Sequence, residues 1–548
     1  VLKPLGYPGD GFKCGSPKIP SVSDDASWID GAADVDDVTD VADVEDGCVV
    51  WHRRDLRTVD SPALAFAAER YETVCPVFVF DPRFYGANGL ACDARCRFLH
   101  ESLADLDRAY STYGGSLTLL SGPPLAVLSR FDRQGWDIVA GAEPTGRYGL
   151  RRDDAAAEQL DVRYIADDGI VRDAADTRDG WSDTVEAWFE RDPRRVEPDE
   201  IGVTDIDTDV SIAGVEERHG IEPTKQSVPT GGRRVGLERL HAFIDRLPEY
   251  LGNVSSPTDA WAGTSRLSPY LRFGCLSVRE VYQYVREEGP SCRGREAFIS
   301  RLYWNRHYTQ KLADWSGWMD TAVNPAMEGF RGDEQDHTLI DAWKHGETGY
   351  PMVDASMRCL AGTGWLNFRM RAMCASFLCD LLGQPWRVGA DWFYYHLIDA
   401  DPAINYSQFQ TQAGMVGVNM RRVYNPRKQV RENDPDGTFI RTWVPELAPL
   451  PTTHLARPER TPIHVQETCD VTIGEDYPYP IVEYEAARDR AMRAFDAVEL
   501  AAKRALAEPE VRRRASLSRR GRRTREGAGQ SREPGPDATQ SSLSRFEE

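Results

Sequence analysis

A chain of 548 residues exceeds what one hydrophobic core usually supports, so two domains with extensions are expected. The 87 Asp and Glu outweigh the 66 Lys and Arg by 21 charges, which excludes a general nucleic-acid coat protein and fits a surface kept hydrated in concentrated salt. Eleven Cys lie scattered with no CxxC pair, and no apolar run reaches membrane-spanning length, so the sequence reads as a soluble, cytoplasmic chain with neither metal site nor membrane partner.

Residues 1–46 are rich in Gly, Pro, Ser and Asp and read as a disordered acidic lead-in. From 47 to 172, strand-like runs at Cys48–Trp51, Val74–Phe80, Leu117–Leu120 and Asp137–Ala140 alternate with helical text at Pro62–Tyr71 and Cys92–Tyr113. That alternation predicts a parallel sheet with helices on both faces. No GxGxxG or GxxxxGK[ST] loop follows any strand, which argues against a nucleotide held by a Gly-rich loop. Residues 173–234 read as a polar surface connector, and residues 235–502 as an all-helical domain dense in Trp, Tyr, Phe and Arg. Residues 503–548 read as a disordered tail carrying Arg512–Arg514 and Arg519–Arg523, the one basic patch of the chain. Such a tail is either solvated disorder or a contact for a nucleic acid or signalling partner.

Three features of the helical half bear on chemistry. Asp401 followed by Pro402 predicts a capped helix start, with Asn405 one turn in on the same side and Asp399 just ahead. In Thr264-Ser265-Arg266-Leu267-Ser268-Pro269, Ser268 is expected at an N-cap and Pro269 at N1, with hydroxyls crowding the positive helix end as a diphosphate site. Arg371, among Met370, Ala372, Met373 and Phe377, reads as a buried cation that needs a carboxylate, and Asp399 is the best partner. A plain capped helix accounts for Asp401 and Pro402 alone, but not for the whole set.

At this point the residues match a family. The text from Gly263 to Leu271, Thr348-Gly349-Tyr350-Pro351-Met352-Val353-Asp354-Ala355, Gly364-Trp365, Leu397–Asp401, Tyr424-Asn425-Pro426 and Phe439–Leu447 resembles the FAD-binding domain of the DNA photolyase and cryptochrome family. Val50–Arg57 resembles the family's opening strand and turn, so the likeness spans about 48–484. The resemblance implies a Rossmann-like α/β domain, a long connector and a helical domain holding a bent FAD. It places Thr264, Ser265, Arg266, Leu267 and Ser268 at the diphosphate, and Arg371 with Asp399 beside the flavin ring. Asp401 falls at a ring contact, Asn405 faces flavin N5, Trp365 lines the pocket, and Tyr250 matches an upstream contact at slightly longer spacing. It also implies DNA as a partner, with Arg369 and Arg422 at phosphate-contacting positions.

Several matched positions depart from the family. Where dimer photolyases carry a base-reading Glu, this chain has Arg301; the dimer-contacting Asn becomes Phe368, a Met becomes Ala372, and a cavity Trp becomes Thr411. Asn367 and Phe368 stand where (6-4) photolyases carry a His pair, and only Trp304 keeps its stacking position. In the electron relay Trp386 matches the middle Trp, while Phe409 takes the proximal place and the surface position falls near Phe330. Phenylalanine is too hard to oxidise to serve as a hop, so the usual route should fail unless Trp392, Tyr394 or Tyr395 offers another. Gly146 replaces an acidic folate contact in Glu143–Asp153, leaving folate and deazaflavin both open as an antenna. The expected function is repair of UV-damaged DNA by electron transfer from excited reduced flavin, with Trp304, Trp386 and Asn405 as its chemical residues. A cryptochrome-like photoreceptor and a non-photochemical FAD binder are the alternatives.

Overall fold

The structure is a computed structural model that describes residues 46–86, 89–172, 180–330, 335–418 and 422–515. The expected lead-in, apart from its last residue, and the tail beyond 515 lie outside the described residues.

The α/β domain is built on strands β1 (Gly47–His52), β2 (Thr73–Phe80), β3 (Thr118–Ser121), β4 (Asp137–Gly141) and β5 (Arg163–Ile165), with helices α1 (Pro62–Ala68), α2 (Asp93–Ser111), α3 (Pro124–Arg133) and α4 (Arg147–Leu160) between them. The order is β3-β2-β1-β4-β5 and every pairing is parallel. The first four strands lie where the strand-like runs of the sequence place them. The three-residue β5 and the two-residue β6 (Gly202–Val203), which pairs with the start of β2, carry too few residues to show a period. The β1 text Gly-Cys-Val-Val-Trp-His is buried throughout, as a parallel strand covered on both faces must be.

The connector is more structured than its polar text suggests. Helices α5 (Trp181–Phe189) and α6 (Ile212–His219) lie within it. Trp181, Val185, Trp188 and Phe189 are buried, so four apolar residues on one face anchor α5 despite the acidic surroundings. Phe189 stacks on Tyr282 of the helical half at 4.4 Å. The start of the expected disordered tail is also helical: the helix Tyr484–Ala505 runs into it from the helical domain, and Pro509–Arg514 follows, with Val511 and Ala515 buried. Arg514 pairs with Glu510 and lies over the Trp315 ring.

One apolar cluster runs from sheet residues Cys48, Val50 and Phe78 through Phe98 to Phe243, Tyr270 and Leu276, so the first helices of the helical half share the sheet's core. A second, larger cluster fills the rest of the helical half around Trp343, Met373, Phe393 and Phe409. Gly274 allows a close approach between the two halves. Its φ is +65°, and a Cβ there would lie 2.0 Å from the Arg54 carbonyl oxygen. Among the described residues no helix is long and apolar enough to cross a membrane, and no cluster of metal-ligating side chains is found.

Candidate functional site

The helix Pro402–Gln412 opens as its text predicts. The Asp401 carboxylate accepts the Ile404 N–H at 3.1 Å, and Pro402 sits at N1 where no donor is lost. Asn405 is buried one turn on, and its Nδ2 donates to the Ala390 carbonyl at 2.8 Å, which fixes the amide against the helix Trp386–His396. Just ahead, the buried Asp399 carboxylate accepts Arg371 Nη2 at 3.0 and 3.1 Å and the Ser268 hydroxyl at 2.6 Å. Arg371 Nε also donates to the Leu366 carbonyl at 2.7 Å. One carboxylate thereby ties three distant segments together. Arg371 is not fully buried, however: its side chain is 23 % exposed, because protein engages only the Nε–Nη2 edge of the fork.

The Thr264–Ser268 loop differs from its expected geometry. The N-cap position falls on Leu267, and Ser268 and Pro269 are the first residues of a helix only five residues long. The Ser268 hydroxyl donates to Asp399, and no side-chain cap bond opens this helix. Thr264 Oγ1 donates to the Ala260 carbonyl at 2.6 Å, Ser265 is buried with its Oγ accepting the Leu267 N–H, and Leu267 is buried. Between them Arg266 takes the left-handed conformation, φ +50°, a strained state for a non-glycine residue. Its guanidinium lies 3.8 Å from the Trp261 ring centroid and 5.4 Å from that of Trp365.

Arg266 supplies the test of whether a dinucleotide fits here. Its Nε is buried with no hydrogen-bond partner among the described residues. Burial and the nearby Arg239 push its pKa down to about 10. A desolvated cation that lacks a neutralising partner favours an anion, and the diphosphate of FAD is one. The donors present thus fit the group.

Around this cradle stands the altered wall. Trp304 meets Phe368 edge-on at 5.9 Å and Tyr308 at 5.2 Å, and the Arg301 guanidinium lies 5.0 Å over its ring. Arg301 also hydrogen-bonds the buried Tyr250, whose phenol burial pushes up while Arg301 opposes the shift. Phe368 is 41 % exposed, Arg369 is half-buried beside it, and Arg422 is exposed with its guanidinium 5.5 Å from the Tyr424 ring. Thr411 spends its hydroxyl proton on the Ser407 carbonyl at 2.7 Å. At the relay positions Trp386 is buried, Phe409 packs against Phe393 at 5.2 Å, and Phe330 stacks on Phe495. The sequence reading missed Tyr406, whose ring meets Trp386 edge-on at 6.5 Å; its place directly after Asn405 was the available signal.

A second site lies between the halves. A cavity of about 580 Å³ opens at the C-terminal ends of β1 and β2, the side on which open α/β sheets receive ligands. Trp51, Asp81, Gly146, Tyr148, Arg152 and Tyr394 are among its lining residues. Tyr148 donates its hydroxyl to Asp81, and Arg152 lies 5.0 Å over the Trp51 ring. A Cβ on Gly146 would come within 3.0 Å of the Tyr394 hydroxyl, so this wall has little room for a carboxylate side chain at that position. At the cavity floor Arg54 joins the halves: it donates to the Pro144 carbonyl at 2.8 Å and lies 3.5 Å from Glu143 and 3.4 Å from Asp401. Burial opposes its charge, yet Glu143 and Asp401 hold its pKa above the ordinary value. The sequence reading noted Arg54 in the opening motif without seeing this role.

A parallel α/β domain joined to a helical domain is the two-domain fold of the photolyase–cryptochrome class. Residues 48–172 match the family described as DNA photolyase, and residues 298–497 match the FAD binding domain of DNA photolyase. The chain is 33% identical over 473 residues to a cryptochrome DASH of Natronomonas pharaonis, covering 80% of this chain and 99% of that protein. It is 33% identical over 466 residues to a deoxyribodipyrimidine photo-lyase of Streptomyces griseus, covering 81% and 98%. Among solved structures it resembles an archaeal photolyase from Sulfolobus tokodaii with two FAD molecules, at a TM-score of 0.68 and 27% identity, covering 82% of this chain and 100% of that one. The chain belongs to the DNA photolyase and cryptochrome family, and residues 298–497 of its helical half match the family's FAD-binding domain.

Proposed function

We propose that this protein is a light-driven FAD enzyme that acts on UV-damaged DNA, of the deoxyribodipyrimidine photo-lyase type. The observation that carries this reading is the partly solvent-open Trp304–Phe368 pair, flanked by Arg301 and Arg369, with Phe368 and Arg369 on the helix that also carries Arg371 of the cradle. Residues 47–172 then form the antenna domain, 173–234 the connector and 235–502 the FAD domain.

When bound in its reduced form, the flavin supplies a light-driven electron to the lesion and takes it back, so the protein contributes binding and electrostatics. Arg266, Thr264, Ser265 and Ser268 surround the diphosphate. Arg371, fixed by Asp399, holds positive charge beside the ring, and Asp401 and Asn405 face it from the helix start. Trp304 and Phe368 stack on bases taken out of the duplex, and Arg369 and Arg422 grip phosphates. In concentrated salt such close contacts replace long-range attraction. The interdomain cavity, lined by rings and arginines, receives an aromatic, anion-bearing antenna.

One observation favours the alternative, a cryptochrome-like photoreceptor without repair. Arg301 offers donors only and Phe368 offers neither donor nor acceptor, so a lesion's N–H groups meet no acceptor from these two residues. Illuminating the reduced protein in high salt with oligonucleotides carrying cyclobutane dimers or (6-4) products separates the readings. Light-dependent loss of either lesion supports repair, and loss of neither supports sensing. A signalling partner acting through the tail beyond 515 would contact residues outside those described here.

A further inference from the structure

We propose that Tyr406 is a redox-active residue which yields an electron to the photoexcited oxidised flavin as its phenolic proton passes to Asp391, in place of the hop lost at Phe409. The inference rests on the FAD reading above and extends it to a residue with no relay role in the family pattern.

The geometry is that of a proton-coupled donor. Tyr406 is 2 % exposed and directly follows Asn405 in the helix Pro402–Gln412. Its ring lies 6.5 Å from Trp386 on one side and 5.6 Å from Tyr394 on the other, so three oxidisable rings form a continuous row. Phe409 leaves no oxidisable ring at the proximal position. Trp392, the other buried candidate, packs on His396 at 4.3 Å and on His345 at 6.4 Å, neither of which extends the row toward Trp386.

The hydroxyl has a designated base. It donates to Asp391 Oδ1 at 2.7 Å. Arg147 Nη1 lies 3.0 Å from the hydroxyl oxygen and 3.4 Å from Asp391, with its guanidinium 4.6 Å over the Tyr406 ring. Arg147 also pairs with Asp320 and donates to the Met319 carbonyl, so it is fixed there. A cation this close opposes a positive charge on the ring, and electron loss is favourable only if the proton leaves with it. Asp391 is the acceptor within reach. Burial and the Asp391 carboxylate push the phenol pKa well up, so the resting residue carries its proton.

The step balances. Tyr406 loses one electron to the photoexcited flavin and one proton to Asp391, becoming a neutral tyrosyl radical beside a neutral carboxylic acid. A soluble thiol then returns one electron, Asp391 returns the proton, and the thiol releases its own proton to solvent. Asp391 and Tyr394 both line the interdomain cavity, which gives small reductants access in protein loaded with FAD alone and carrying no antenna.

The test uses the full chain loaded with oxidised FAD and illuminated with blue light in the presence of a thiol. Flavin bleaching and the radical trapped at low temperature are recorded for the wild type, Tyr406→Phe and Asp391→Asn. Flavin content and thermal melting are measured alongside. The wild type is expected to bleach, to bleach more slowly in heavy water, and to show a tyrosyl spectrum by electron paramagnetic resonance. Tyr406→Phe should keep FAD, lose that spectrum and its solvent isotope effect, and bleach at least about tenfold more slowly, a barrier change near 1.4 kcal/mol. Asp391→Asn keeps the ring and removes the base, and carries the test should Tyr406→Phe not hold FAD. Wild-type bleaching rates in both variants, or a tryptophanyl spectrum in the wild type, would overturn the assignment. A wild type that binds FAD but does not bleach also overturns it, whereas one that takes up no FAD overturns the proposed function itself.

Discussion

Two positions one turn apart on the helix Phe368–Ser376 show how differently this protein treats its cofactor and its substrate. At Arg371 the helix is pinned by a buried carboxylate that also captures Ser268, and both partners are far away in sequence. One turn earlier Phe368 stands 41 % exposed, and its recorded ring contact is the edge of Trp304. The first side is over-determined, so a substitution there disturbs several segments at once. The second is a surface on which residue type can change without unfolding anything, which is how Arg301, Phe368 and Thr411 can depart from the family pattern while the cradle keeps it.

The largest expected effect comes from breaking the pinned side. Asp399→Ala leaves Arg371 without its carboxylate and Ser268 without its acceptor. Loss of one partner of a largely buried pair costs about 3 kcal/mol, or roughly a hundredfold in FAD affinity. Flavin content after purification, followed by titration with added FAD, measures it; retained yellow colour at full occupancy would contradict the cradle. The seam between the halves should matter less. Arg54→Met removes the cation that Asp401 and Glu143 share, and about 1–3 kcal/mol of thermal stability should be lost with the FAD spectrum unchanged in shape.

Changes on the open side should leave FAD alone. Phe368→Asn restores an amide at the position where dimer photolyases read the lesion. It should change binding of a dimer-containing oligonucleotide by about tenfold, near the 1–2 kcal/mol of one hydrogen bond to a matched partner, with flavin content unaltered. Equal binding of damaged and undamaged DNA by both proteins would remove this face from the substrate site.

The same contrast explains what was legible in the sequence. The Asp401–Pro402 cap was readable because it is local: the side chain bonds a backbone group three residues on. The Arg371–Asp399 pair was readable because a charge among apolar neighbours demands a partner, and few carboxylates were offered. Ser268 was misplaced by one position: the cap falls on Leu267, and the Ser268 hydroxyl donates to a carboxylate 131 residues away, a contact no local rule reports. Tyr406 and Asp391 are 15 residues apart on separate helices, so nothing in their spacing announces the bond. The connector helix α5 was hidden by its acidic flanks, although Trp181, Val185, Trp188 and Phe189 already carried a helical face.

The smallest effect is a pH dependence that belongs to the pinned side. His396 ends the helix that leads into Asp399; burial first, then Lys225 and other nearby cations (Arg95, Lys344 and His345), hold its pKa well below the usual 6.5. Lys225 Nζ lies 3.1 Å from its Nδ1, and its ring packs on Trp392 and Tyr395. A depressed folded pKa means the unfolded chain binds the proton more readily, so this stabilisation is complete above pH 6.5 and is lost as pH falls below it. Between pH 6.5 and 5.5 the wild type should lose about 1 kcal/mol through this group, read from urea midpoints in constant salt. His396→Leu should flatten that slope by up to one proton's worth. Because His396 lies three residues ahead of Asp399, flavin release on acidification should track the slope, while DNA contacts at Phe368 and Arg422 stay unchanged. An identical slope in His396→Leu would move the titration to another group.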